Sequence, residues 1–214
     1  FEKFKDKIIH VIVDDFPFKY PFVNIQKNEQ WVNEYFQRNA ISRGFKEINL
    51  TPQDIIIIAD LDEIPDPNTL RKIKNEEIRV TINRLQMDFY YYNLNFKSKF
   101  KWEKCVIFNY GIYIKYKLDF NTPRNRIKMI SIPHGGWHLS YFGDTKHIIN
   151  KIEQFSHQEF NNNDVKNLSN IKKSMLEGSD IFNRKNHELI KIPIKDNNYL
   201  PLKYDIYLSK FFSF

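Results

Sequence analysis

The chain has 214 residues, 42% hydrophobic and 28% charged, with a formal net charge of +7. That balance suits one sizeable folded core and excludes a disordered or fibrous polypeptide. No apolar run approaches the roughly 20 residues that cross a bilayer, and the lysines are scattered, unlike the block of a nucleic-acid-binding arm.

Residues 1–7 alternate charged and aromatic groups, without the apolar segment of a signal peptide. Ile8 to Val13 predicts a first strand, ending at Asp14 and Asp15. Asn28 is placed to cap a helix running to about Arg43. Trp31, Val32, Tyr35, Phe36 and Ile41 fall near one face of it, and Gly44 suits its stop. Ile55 to Ile58 reads as a strand buried on both faces, as in a parallel sheet. Asp66 and Pro67 supply an N-cap and a first-turn proline for a short helix to about Lys74.

Residues 78–96 look β-rich, and a second β-like stretch covers Cys105 to Lys117, broken at Gly111. The lone cysteine, Cys105, excludes an intrachain disulfide and a cysteine-rich zinc site; its apolar neighbours Val106, Ile107 and Phe108 point to a buried structural thiol. Residues 119–136 are rich in turn formers. Asp144 caps a helix with Ile148, Ile149, Ile152 and Phe155 at helical spacing. Another helix starts near Asp164, carries Val165, Leu168, Ile171 and Met175 on one face, and stops at Gly178. The tail from Lys191 is irregular and aromatic. No repeat or low-complexity linker divides the chain, so one mixed α/β domain over residues 1–214 is expected.

Asp60, Asp62 and Glu63 follow the isoleucine strand directly. In open α/β sheets ligands sit off the carboxyl ends of strands. If the backbone stays extended there, Asp60 and Asp62 point to one side, and paired carboxylates attract a hard divalent cation. The alternative is a solvated turn. A second constellation runs from His134 through Gly135, Gly136, Trp137 and His138 to Gly143. Its glycines permit close backbone approach, Trp137 could stack on a sugar or base, and His138 could be a third metal ligand. The plainer alternative is a turn with a core tryptophan. His157 and Glu159 sit between aromatics at the end of the Asp144 helix, where His157 could equally steady the helix dipole. Arg38, Arg43, Arg124 and Arg126 could grip phosphate.

Taken in order, IIHVIVDDFP (8–17), FQRNAISRG (36–44), DIIIIADLDEIP (54–65), MDFYYYNLN (87–95), GWHLSYFG (136–143) and FSHQEFN (155–161) resemble glycosyltransferase family 17. The family's best-known activity adds the bisecting N-acetylglucosamine (GlcNAc) to N-glycans. The resemblance implies a GT-A-like fold with a mixed, mostly parallel central sheet flanked by helices. It implies transfer of a sugar, GlcNAc, from a UDP-sugar to a glycan or glycoprotein acceptor with inversion. Asp60 and Asp62 would hold Mn²⁺ (or Mg²⁺), which stabilises the departing UDP. His138 would be the third ligand, with His157 behind it. Arg38, Arg43 or an arginine of residues 124–126 would share the diphosphate charge, and Trp137 and Tyr141 would line the sugar site. Inversion needs a base for the acceptor hydroxyl; Glu63, Asp88 and Glu159 are candidates, with Glu159 preferred for its place in a matching segment. Members of the family carry a further N-terminal segment with a first strand, so the resemblance implies that this part is missing ahead of Phe1. It places a eukaryotic relative in the Golgi lumen and a microbial or viral one in the cytoplasm. Two other readings remain open: a non-catalytic nucleotide-sugar or glycan-binding remnant, and a metal-dependent nucleotidyl or phosphoryl transferase.

Overall fold

The computed structural model describes residues 2–125, 128–185 and 187–211. Its strands are β1 (Ile55–Ile58), β2 (Glu63–Pro65), β3 (Ile82–Tyr91), β4 (Phe96–Ser98), β5 (Val106–Asn109), β6 (Ile130–Ser140) and β7 (Leu189–Lys191). The helices are α1 (Glu29–Ala40), α2 (Pro67–Lys74), α3 (Tyr110–Tyr116), α4 (Thr122–Asn125), α5 (Thr145–Gln154), α6 (Leu168–Glu177) and α7 (Tyr204–Tyr207).

All seven strands form one sheet around β3. Along one edge β3 pairs in parallel with β6, which in turn carries β2. The other edge is shared by β5, which leads on to β1, and β4, which leads on to β7. Every pairing except β3–β6 is antiparallel, so the expected mostly parallel sheet is corrected to a mainly antiparallel one. The isoleucine run misled twice: it does not encode strand direction, and only Ile56 and Ile58 are buried, Ile55 being exposed and Ile57 half-buried. Ile56 and Ile58 pack with Val106, Phe108 and Phe120, while Ile57 leans on the cluster of Leu85, Met87 and Ile107. Apolar groups on both sides of a short strand are enough to select isoleucine at successive positions.

Side chains of β3 alternate between two environments. Phe89 and Tyr91 enter a core with Tyr141, Ile148 and Ile152 of α5 and Ile171 and Met175 of α6. Tyr90 faces the other way, into a cluster with Leu94 and Trp137 that the aromatic tail covers through Tyr199, Leu200 and Leu208.

Local signals placed several boundaries well. Asp66 accepts from the Asn68 N–H at the start of α2, which ends at Lys74, and Asp144 accepts from the His147 N–H at the start of α5. Others are corrected. Residues 8–13 form no strand, and residues 9–13 line a largely apolar cavity of about 730 Å³ with α1 and residues 41–48. The first long helix stops at Ala40, and Gly44 lies buried within the 3₁₀ segment Ile41–Glu47. The β-like stretch from Cys105 becomes β5 and then α3. Residues 130–136, expected as turns, belong to β6. The last long helix starts at Leu168, where the Asn167 side chain caps the Ser169 and Asn170 N–H groups.

Candidate active site

The loop between β1 and β2 carries Asp60 and Asp62 into a cleft of about 510 Å³. β2 then pairs with β6 so that Glu63 stands opposite His138, and the Asp62 carbonyl accepts from the Leu139 N–H at 2.8 Å. Because β6 also runs beside β3, His138 lies against Phe89, with ring centroids 4.5 Å apart and nearly parallel planes. Trp102 closes on His138 from another side at 4.2 Å. The strand pairing therefore gathers acidic, imidazole and aromatic groups at one place.

Two charge clusters organise this cleft. In the first, Glu63 is 3% exposed and accepts from Trp102 Nε1 at 2.6 Å, from the Asp60 N–H at 2.9 Å and from both Arg124 terminal nitrogens at 3.2 and 3.3 Å. Arg124, 5% exposed, also donates to Asp60 at 2.7 Å. Burial works against the Arg124 charge, but Glu63 and Asp60 outweigh it and hold its pKa above the ordinary value. Arg38 on α1 reaches Asp60 at 3.6 Å while donating to Glu34 and Asn121.

In the second cluster Asp62 meets Lys151 of α5 at 2.7 Å and His138 Nε2 at 3.3 Å. Burial pushes the Asp62 carboxyl up, but His138 and Lys151 together hold it well below the usual carboxylate range. The Lys151 ammonium also sits 4.7 Å from the centre of the Tyr141 ring. His138 is nearly buried, and its Nδ1 has no hydrogen-bond partner.

Two carboxylates and an imidazole are chemically suited to a divalent cation. Among the described residues, however, no three His, Cys, Asp or Glu side chains stand together as a metal-binding group. The backbone is not extended there, because Leu61 and Asp62 form a turn, yet Asp60 and Asp62 both line the cleft. Each carboxylate faces its own cationic partner, and a metal at this site would replace those contacts.

Of the other sequence candidates, Arg38 and Tyr141 line the cleft. Arg43 grips Asp15 with two hydrogen bonds of 2.8 Å, away from it. Trp137 is core: its Nε1 donates to the Tyr199 carbonyl on the opposite sheet face. Asp88 also points to that face, buried against Lys97 at 2.6 Å and Lys101. His157 lines the cleft, and Glu159 stands behind it at 2.7 Å from its Nδ1. Arg126 lies outside the described residues.

A family model, described as Glycosyltransferase family 17, matches residues 1–189. The chain belongs to glycosyltransferase family 17. No curated protein and no solved structure matches it. As a glycosyltransferase the chain uses a sugar donor and an acceptor. None of its described helices is long and apolar enough to cross a membrane.

This family 17 chain brings further groups to the cleft that its sequence did not single out: Trp31, Trp102, Lys151, Arg184 and His187. Arg184 is fixed by Asp180 and donates to the Tyr91 hydroxyl at 2.8 Å. Lys151 carried no signal, because a lysine on an amphipathic helix ordinarily marks the solvated face. Charge complementarity with Asp62 becomes visible only after α5 has packed across the sheet.

Proposed function

We propose that this chain is a metal-dependent inverting transferase that moves GlcNAc from UDP-GlcNAc to a glycan acceptor. The observation that carries the reading is the charge pattern of one cleft, where Asp60 and Asp62 meet Arg38, Arg124 and Lys151. Carboxylates suit a divalent cation, and cationic side chains suit a diphosphate.

Asp60 and Asp62, with His138 beside them, would hold Mn²⁺ or Mg²⁺. When bound, such an ion supplies Lewis-acid stabilisation of the leaving diphosphate. Arg38, Arg124 and Lys151 lie where they can take phosphate oxygens once their carboxylate partners are otherwise engaged. Glu63 positions Arg124 and the Asp60 backbone; its own oxygens are occupied by four donor contacts, which leaves it poorly placed to accept a proton. Trp31, Tyr141 and Trp102 give the cleft aromatic surface of the kind that packs on a sugar face.

Calorimetric titration of UDP-GlcNAc with Mn²⁺ or with EDTA tests this. Binding is expected only with the metal, and Asp62→Ala should weaken it by more than about tenfold, as loss of support at a metal site does. Binding that ignores both EDTA and the substitution would overturn the assignment, and UDP-glucose and UDP-galactose serve as donor controls.

A further inference from the structure

The reaction proposed above needs a group that takes the acceptor's proton, and the cleft is lined by an imidazole that is tied into neither charge cluster and has a carboxylate of its own behind it. His157 lines the cleft, is half exposed, and has its Nδ1 2.7 Å from Glu159 Oε1. Its ring is seated edge-on against Trp31 of α1, at 4.6 Å between centroids, and packs near Phe155 and Phe160. Glu159 itself is not among the residues lining the cleft.

We propose that His157 is the general base of this enzyme and that Glu159 is its positioning residue. The inference rests on the glycosyltransferase reading and adds to it the group that activates the acceptor. With Glu159 ionised, the proton of the ring lies on Nδ1 and is donated to the carboxylate. That leaves the lone pair on Nε2 available, the logic by which an acid orients a catalytic histidine. The acceptor O–H then gives its proton to Nε2 while the oxygen forms its bond to the anomeric carbon. The bond from that carbon to the diphosphate oxygen breaks, and the electron pair leaves with UDP. The imidazolium formed is stabilised by Glu159 and returns its proton to water after the product departs.

Three rival candidates are disfavoured by geometry, and His187, which also lines the cleft, has no hydrogen-bond partner on its Nδ1 to orient it. Glu63 is buried and fully engaged, and Asp88 faces the other side of the sheet between two lysines. His138 is stacked on Phe89, covered by Trp102 and directed at Asp62. His157 combines exposure to the cleft with a hydrogen-bonded acid behind it.

The test uses UDP release from UDP-GlcNAc with water as the acceptor, together with calorimetric binding of UDP and Mn²⁺. His157→Ala is expected to lower turnover by about 10²- to 10⁴-fold, the range of general-base catalysis. Binding of UDP should change by less than about threefold, and added imidazole should restore part of the turnover. Glu159→Gln should lower turnover less than His157→Ala and leave UDP binding alone. Full or near-full turnover in His157→Ala overturns the proposal. So does a Glu159→Gln defect equal to or larger than that of His157→Ala, which would make the carboxylate the base. Loss of UDP binding in His157→Ala without imidazole rescue assigns the histidine to binding and also overturns it. If the parent enzyme binds UDP in an Asp62-dependent way, those last outcomes count against the dyad alone. If it neither binds UDP nor releases it from any UDP-sugar, the glycosyltransferase site falls and the dyad with it.

Discussion

Around Glu63 three donors converge on one buried carboxylate, and Arg124 supplies the only full positive charge among the contacts described there. Removing that charge by Arg124→Met leaves a carboxylate in a site from which water is largely excluded. The expected cost is about 3–5 kcal/mol of unfolding free energy, the range for breaking one side of a buried pair. Urea denaturation measures it, and the double variant with Glu63→Gln should recover a substantial part, because the stranded charge is then gone. A loss below about 1 kcal/mol would place the pair with ordinary surface bridges. Part of this was legible: the acidic cluster after the isoleucine strand and the arginines were both visible as residue types. Which arginine meets which acid was not, because Arg124 and Glu63 are 61 positions apart and meet only through the sheet.

At the scale of elements, β6 passes between β3 and β2, and its glycines make that passage possible. Gly136 has φ +137°, and a Cβ there would lie 2.1 Å from the Ile64 carbonyl oxygen on β2. The sequence suggested that these glycines admit a ligand; in the fold the backbone they admit is the chain's own. Gly136→Ala is therefore expected to destabilise the protein by at least about 1–3 kcal/mol, from overpacking together with the strained φ. It should also weaken UDP binding more than its distance from the cleft suggests, since β2 carries Glu63 opposite His138. Thermal unfolding with a parallel binding titration checks both, and an unchanged midpoint would contradict the close approach. Helices α2 and α5 were legible because their caps are local, each an aspartate whose oxygen bonds an N–H two or three residues on.

Across the whole molecule, several carboxylates titrate below their ordinary range. Burial raises Asp62 but His138 and Lys151 lower it further; hydrogen bonds from Gln86 and Ser131 lower Glu103; Thr122 and Asn121 outweigh burial at Asp119. Each folded value lies below the unfolded one, so the unfolded chain binds more protons as acid is added. The stabilisation is present above the ordinary carboxylate values near 4 and is lost as pH falls through the depressed folded values. Burial holds the His187 imidazole below its ordinary value near 6.5, so a first, smaller decline of the melting temperature is expected as pH falls below about 6.5, and a steep fall below about pH 4. Glu103→Gln should shrink part of that acid-side fall, and a midpoint unchanged at pH 3 would contradict the shifts. The sequence by itself determined the family, through ordered segments spread along the chain, and the starts of α2 and α5, through caps spanning a few residues. The tertiary structure alone decided the strand directions, the turn at Leu61 and Asp62, the placement of Trp137 and Asp88 on the far face, and the entry of Lys151 into the cleft. Those outcomes depend on which edges pair and which faces are covered, and such long-range packing leaves no mark on the residues next to each position in the chain.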